Sequence, residues 1–293
     1  MSDRKPPKNT KAGDYLILLK PGITWMSVFM ALGGIGLAPG TIDQVRAVWA
    51  LVGIALIVAS SHALNMYVER DTDALMERTK NRPLPAKRMR PLEALLFGAA
   101  LGAAGVGVLF FLVNELTAYL GAFAMVIYVL VYTPLKRVTP LALLVGAVPG
   151  AFPPLLGWTS VTGRIAVPGL LLFFIMLLWQ VPHFIAITLY RKSEYARAGI
   201  RTTSVVHGDI VAKLQALAYA TLLVPISLLF VPLGLAGTTY FAIGLTANLA
   251  FVAMSATGFL PRSGDRWARG LFKASLIYLP VLTLGLMLDL VIQ

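Results

Sequence analysis

The chain has 293 residues, 58% of them hydrophobic and 13% charged, with no cysteine and a formal net charge of +12. This composition excludes an ordinary soluble globule, and the absence of cysteine excludes disulfides, Cys–zinc sites and thiol nucleophiles. A charge of +12 invites a nucleic-acid partner, but its placement along the chain assigns it to membrane topology, with some attraction to anionic membrane lipid, and no nucleic acid is expected.

Residues 1–13 are basic and proline-containing and hold no apolar core, so they read as a flexible tail and not as a cleavable signal peptide. Apolar runs long enough to cross a bilayer then follow at 16–38, 47–68, 94–113, 116–133, 141–159, 166–189, 212–233, 236–257 and 270–291. They predict an all-α polytopic membrane protein, one bundle of about nine transmembrane helices over residues 14–293. With the N-terminus cytoplasmic, all but two of the 25 Lys and Arg residues (Arg46 and Arg164) fall on the cytoplasmic side. That asymmetry sets the orientation and the odd number of spans. The connections on the far side are short; the longest on the cytoplasmic side are 69–93 and 190–211, which carry most of the acids outside the spans. Length and charge mark them as the working side, so a central cavity is expected to open toward the cytoplasm.

In chain order, the first polar feature is Lys20-Pro21-Gly22 in the first span, where proline starts or kinks a helix and the lysine can snorkel or touch a substrate. The second span ends in Asn65-Met-Tyr-Val-Glu69-Arg-Asp71-Thr-Asp73. Steps of four drift about 40° each on a helix, so Asn65, Glu69 and Asp73 share one face over about 12 Å. Hard oxygens on one face at a membrane boundary suit Mg²⁺ held together with a substrate phosphate. Asp71 points elsewhere on an ideal helix and joins the set only if the helix ends near Arg70. Arg78, Lys80 and Arg82 follow at once, and cations beside a metal cradle point to an anionic substrate, most simply a diphosphate. The turn Tyr132-Thr-Pro-Leu-Lys136-Arg137 is either topological or an anion contact. His183, in Trp179-Gln-Val-Pro182-His183-Phe184, lies inside a span and either packs or binds. Glu194 and Tyr195 lie in the second long loop; Glu194 is the candidate that completes the metal or diphosphate site from across the bundle. No GxSxG, Walker A, GxGxxG or HExxH element is present. The chemistry implied is electrophilic: a metal-held diphosphate departs and an electron-rich acceptor captures an allylic cation.

Nearly the whole chain resembles the intramembrane aromatic prenyltransferases and, within them, the protohaem IX farnesyltransferase (haem O synthase) branch. The resemblance rests on Lys20-Pro21-Gly22-Ile23, the Asn65-to-Asp73 element with Met76 to Pro83, and Tyr132 to Arg137. It continues through Gly146, Pro149-Gly150, Pro153-Pro154, Gly157-Trp158, Trp179 to Phe184, Glu194-Tyr195 and Leu271 to Ser275. Glu69 stands where many relatives carry Asp. The resemblance implies transfer of the farnesyl group of farnesyl diphosphate to a vinyl group of haem B, with water added across the same vinyl, giving haem O and diphosphate. It implies Mg²⁺ on Asn65, Glu69 and Asp73, with Asp71 possible as a further ligand. Arg78, Lys80 and Arg82 would neutralise the diphosphate or a haem propionate, and His183 would lie near the porphyrin. Haem B is then a substrate and not a cofactor, a bacterial-type inner membrane is the location, and a downstream haem A synthase is a partner. Two other readings stand beside it: a prenyltransferase acting on a quinone-precursor ring, and a membrane transporter or haem carrier. Transporters place charges at mid-membrane on broken helices, whereas the charges here gather at one face.

Overall fold

A computed structural model describes residues 11–261 and 263–292, and every regular element in it is helical. Of the basic tail expected over 1–13, residues 1–10 lie outside the described residues, and the first helix begins at Lys11.

Helices α1 (Lys11–Leu19) and α2 (Pro21–Leu37) meet at Lys20 with a bend of 42°. Proline disfavours a right-handed helical conformation in the residue before it, and Lys20 takes the left-handed one, φ 44° and ψ 64°. The Thr24 hydroxyl donates to the Leu19 carbonyl at 2.7 Å and satisfies one acceptor freed by the break. Helix α3 (Gln44–Asp73) runs for 30 residues and is capped by Asp43, which accepts from the Arg46 amide. It therefore continues past the boundary expected at residue 68, and Asp71 lies on it. A loop of turns over 74–90 leads to α4 (Pro91–Leu112). This loop is pinned to α1: the Arg88 guanidinium donates to both oxygens of the buried Asp14 at 2.9–3.1 Å and to the Asn81 carbonyl at 3.0 Å.

Helix α5 (Glu115–Val126), capped by Asn114, runs into a π-helical stretch over Ile127–Tyr132 and then the short α6 (Thr133–Leu135). A π turn inserts one residue per turn and re-aims the side chains beyond it. The Thr133 amide and hydroxyl both donate to the Tyr128 carbonyl, the hydroxyl at 2.7 Å. Next come α7 (Ala142–Gly150) and α8 (Phe152–Thr162), broken at Ala151 before Pro153 and Pro154, and α9 (Val167–Tyr190). Two short helices, α10 (Lys192–Arg197) and α11 (Thr203–Val206), fill the second long loop. The bundle ends with α12 (Gly208–Leu228), α13 (Thr238–Ala256) and α14 (Asp265–Ile292).

Among the described residues, eight helices or continuous helical runs are long and apolar enough to span a membrane, and the bent α1–α2 pair makes a ninth. The nine expected spans correspond to these in order. With no hydrophobic drive between helices in lipid, close approach through small residues does the packing. Gly34 and Gly157 let α2 and α8 touch backbone to backbone: a Cβ at Gly157 would overlap the Ala31 carbonyl, and one at Gly34 the Pro154 carbonyl. One apolar core lies among α9, α12 and α14 (Val181, Ile185, Leu223, Leu271, Leu279), and another among α3, α4, α5 and α8 (Ile54, Ile57, Leu109, Leu156). The space between the two cores is the cavity.

Candidate active site

The cavity has a volume of about 600 Å³ and is walled by α2, α3, the α5–α6 segment, α7, α8, α9 and α14, within the size of small-molecule sites. It is polar at one end and apolar at the other. On α3 the lining residues run Ile57, Val58, Ser61, His62, Asn65, Glu69 and Asp73, a rise of about 24 Å from first to last at 1.5 Å per residue. The 3.6-residue period thus gives one wall of the cavity its gradient, from aliphatic to carboxylate.

At the polar rim each oxygen donor of α3 meets a cation. Lys136 Nζ lies 2.7 Å from Glu69 Oε1, with both side chains largely buried. Arg82 Nη1 lies 2.6 Å from Oδ2 of Asp73, whose side chain is 1% exposed. Lys20 Nζ donates to Asn65 Oδ1 at 3.3 Å, and Asn65 Nδ2 donates to Thr133 Oγ1 at 3.1 Å. The strained backbone at Lys20 is what aims this lysine inward; a left-handed non-glycine residue costs about 1–3 kcal/mol. The Tyr132 ring lies under Lys136, 4.2 Å from ring centre to Nζ. Burial opposes the charge on Lys136, but Tyr132 and Glu69 outweigh it and raise its pKa above the ordinary lysine value. Gly146 on α7 makes room for that ring, since a Cβ there would overlap Tyr132. The second long loop docks on the same rim through the Arg201 amide, which donates to the Lys136 carbonyl at 2.9 Å.

The opposite wall is aromatic. His183 stacks on Trp179 (centroids 4.9 Å, 27°) and lies 4.9 Å from Phe272. The Ser275 hydroxyl donates to the Phe272 carbonyl at 2.6 Å, so at 2.8 Å it accepts from His183 Nδ1. This fixes the tautomer and leaves the His183 Nε2 lone pair uncommitted.

Of the residues expected in the site, Lys20, Asn65, Glu69, Asp73, Arg78, Arg82, Lys136, His183 and Tyr195 all line the cavity. Four do not. Asp71 is 80% exposed because α3 continues through it and turns it away from the Asn65 face. Lys80 pairs with Glu77 at 2.6 Å on the surface. Arg137 is exposed beyond the turn that holds Lys136. Glu194 pairs at 3.0 Å with Arg191, the residue just before its short helix, so it does not complete the α3 oxygen set. The cavity also takes in His62, Tyr128, Gln180 and Arg201, which sequence reasoning did not single out. His62 carried a usable signal, since it stands three residues before Asn65 on the same helical stripe. Tyr128 carried none, because an aromatic at helical spacing from Ala124 and Met125 reads from sequence as ordinary packing.

Among the described residues no three His, Cys, Asp or Glu side chains cluster as a metal site. The α3 oxygen set is instead one amide oxygen and two carboxylates on a single face, hard donors of the kind Mg²⁺ takes when substrate phosphate supplies the rest. The residues fit the ion, with the rim cations available to phosphate oxygens.

The UbiA prenyltransferase family profile matches residues 27–277. A Sorangium cellulosum protein named protoheme IX farnesyltransferase is 53% identical over 82% of this chain and 85% of its own length. A Myxococcus xanthus protein of the same name is 46% identical over 99% of this chain and 98% of its own. Among solved structures, a digeranylgeranylglyceryl phosphate synthase aligns over 95% of this chain and 98% of its own with a TM-score of 0.81 at 18% identity. A UbiA homologue from Archaeoglobus fulgidus, bound to DMAPP and Mg²⁺, aligns over 94% and 99% with a TM-score of 0.69 at 18% identity. On sequence match and fold together, the chain belongs to the UbiA prenyltransferase family.

Proposed function

We propose that this protein transfers the farnesyl group of farnesyl diphosphate to a vinyl group of haem B, with addition of water, to give haem O and diphosphate. The observation that supports the reaction class is the rim: Asn65, Glu69 and Asp73 on one face, opposed by Lys20, Lys136 and Arg82, at the mouth of a cavity whose far end is apolar. The acceptor and the isoprenoid follow from the relatives named protoheme IX farnesyltransferase.

Asn65, Glu69 and Asp73 would hold Mg²⁺, which neutralises diphosphate charge as the C–O bond breaks. Lys20, Arg78, Arg82 and Lys136 bind the diphosphate oxygens, and Arg201 closes the rim from the second loop. The farnesyl chain lies along the aliphatic residues of α3, α5 and α8, where water is excluded and the allylic cation is protected. The vinyl π electrons attack farnesyl C1. The macrocycle packs on the Trp179–His183–Phe272 wall, with His183 Nε2 the atom available to it. Tyr195 borders the rim; burial raises its pKa, and its hydroxyl stays a donor. Asp71, Lys80, Arg137 and Glu194 receive no substrate contact. Residues 14–293 act as one catalytic unit in a bacterial-type inner membrane, with the N-terminus and the rim facing the cytoplasm, and haem O passes to a haem A synthase.

The test is purified protein with haem B, farnesyl diphosphate and Mg²⁺, followed by the mass of the extracted haem. A hydroxyethylfarnesyl haem is expected; folded protein that leaves haem B unchanged refutes the proposal. Asp73→Asn abolishes turnover while the protein remains folded.

A further inference from the structure

His62 is 6% exposed, lines the cavity, and has no hydrogen-bond partner on either ring nitrogen. The edge of its ring meets Tyr128, with centroids 5.8 Å apart at 84°. A neutral imidazole carries one N–H and one lone pair, so a buried one with both unmet is costly unless a ligand or water meets them. On α3 it sits about 4.5 Å below Asn65, toward the aliphatic end. On the proposed function, that is the level at which a diphosphate held at the rim would give way to its allylic carbon. Tyr128, whose ring meets His62, is a phenol and so a donor more than a base, and Ser61 and Gln180 are committed. Ser61 Oγ donates to the Ile57 carbonyl at 2.8 Å, and Gln180 Nε2 donates to the carbonyls of Ala147 and Met176. Glu69 and Asp73 are ion-paired and lie about 10 and 16 Å further along the helix.

We propose that His62 is a catalytic base, which holds and deprotonates the water that supplies the hydroxyl group of the product. This rests on the farnesyl-transfer reading above. When diphosphate leaves, the vinyl π pair closes the new C–C bond to farnesyl C1 and the positive charge moves to the carbon beside the porphyrin ring. A water lone pair closes a C–O bond there. The O–H electron pair stays on oxygen as the proton passes to the His62 lone pair. Lys20, Arg82 and Lys136 make the adjoining rim cationic, so the proton passes on to diphosphate, which carries it out. Without a base at this position the same cation loses a proton from its neighbouring carbon and forms an alkene, a product lighter by one water.

The experiment compares wild type, His62→Gln, His62→Ala and His183→Gln in the mass assay, with haem B binding followed by visible absorption. For both His62 variants the expected result is haem B binding as in wild type and hydroxylated product lowered about 100-fold, the scale of lost general-base catalysis, with the dehydrated farnesyl haem as residue. Added imidazole restores the hydroxyl product in His62→Ala. Hydroxylated product at the wild-type rate in His62→Gln, loss of haem binding in both His62 variants, or dehydrated product from His183→Gln alone would each overturn the assignment. Wild-type protein that makes no farnesylated haem sinks the underlying reaction instead, so the two failures are distinguishable.

Discussion

Removal of Arg82 strands a charge. Asp73 is 1% exposed and its Oδ2 lies 2.6 Å from Arg82 Nη1; the Thr79 hydroxyl, 2.8 Å away, bonds the Asp73 main-chain carbonyl and not the carboxylate. Removing one partner of a buried ion pair costs about 3–5 kcal/mol, most of it the penalty of the charge left behind. Arg82 is 17% exposed and the pair lines a cavity, so the lower end, about 3 kcal/mol, applies to Arg82→Ala. At about 2–4 °C per kcal/mol for a chain of this class, the midpoint of thermal unfolding in detergent falls by roughly 6–12 °C. Asp73→Asn alone leaves an arginine that faces the cavity and can turn to water there, and costs less. The double variant Arg82→Ala with Asp73→Asn removes the stranded charge and regains much of the loss, while farnesyl transfer stays absent. If Arg82→Ala shifts the midpoint by under about 2 °C, or the double variant is no more stable than Arg82→Ala, Asp73 is not held as a buried anion by Arg82 and the account of the rim is wrong.

Lys20 tests the separation of stability from function. Lys20→Gly removes a left-handed non-glycine residue and the Asn65 contact together, so thermal stability rises by about 1 kcal/mol while farnesyl diphosphate affinity falls; a parallel loss of both refutes the assignment of strain to substrate binding. Gly157→Ala forces a Cβ into the Ala31 carbonyl and costs about 1–3 kcal/mol by overpacking, read as a lowered melting midpoint; an unchanged midpoint means that α2 and α8 do not meet as described. Chelation of divalent ions with EDTA abolishes turnover and added Mg²⁺ restores it, while haem B binding is unaffected; full activity in EDTA refutes metal assistance.

The helices and their order were legible because lipid leaves a chain few choices: backbone groups must be satisfied within each span, so apolar length reads directly as a helix. The oxygen face was legible for the same reason, since a 3.6-residue period fixes which of Asn65, Glu69, Asp71 and Asp73 share a side. What sequence could not supply is how loops fold back. Lys80 and Arg82 are two apart in one basic run, yet Arg82 enters the cavity and Lys80 stays on the surface with Glu77. That choice is made by the turns of the 74–90 loop and its clamp from Asp14 to Arg88, partners 74 residues apart. Lys136 and Arg137 divide in the same way, because the π turn before them rotates one side chain inward. Glu194 stays away for a local reason: Arg191, three residues earlier at the cap of its short helix, satisfies it.

Under the proposed function, the rim would keep a metal cradle ready beside an apolar cavity. Two carboxylates facing each other without metal would repel and would be costly to desolvate. Here Glu69 and Asp73 are matched by Lys136 and Arg82, and Lys20 covers the neutral Asn65, so both anions are compensated and the rim is left cationic before any ligand arrives. A Mg²⁺–diphosphate unit presents both signs at once. The carboxylates can turn to the cation while the lysines and the arginine turn to phosphate oxygens, exchanging one set of ion pairs for another with little net change in buried charge. A metal ion alone would face three competing cations, and a diphosphate alone would face two carboxylates, so each half favours entry of the other. Under the proposed function, such a site would admit the pair and discriminate against either component alone, as departure of a metal-bound diphosphate requires.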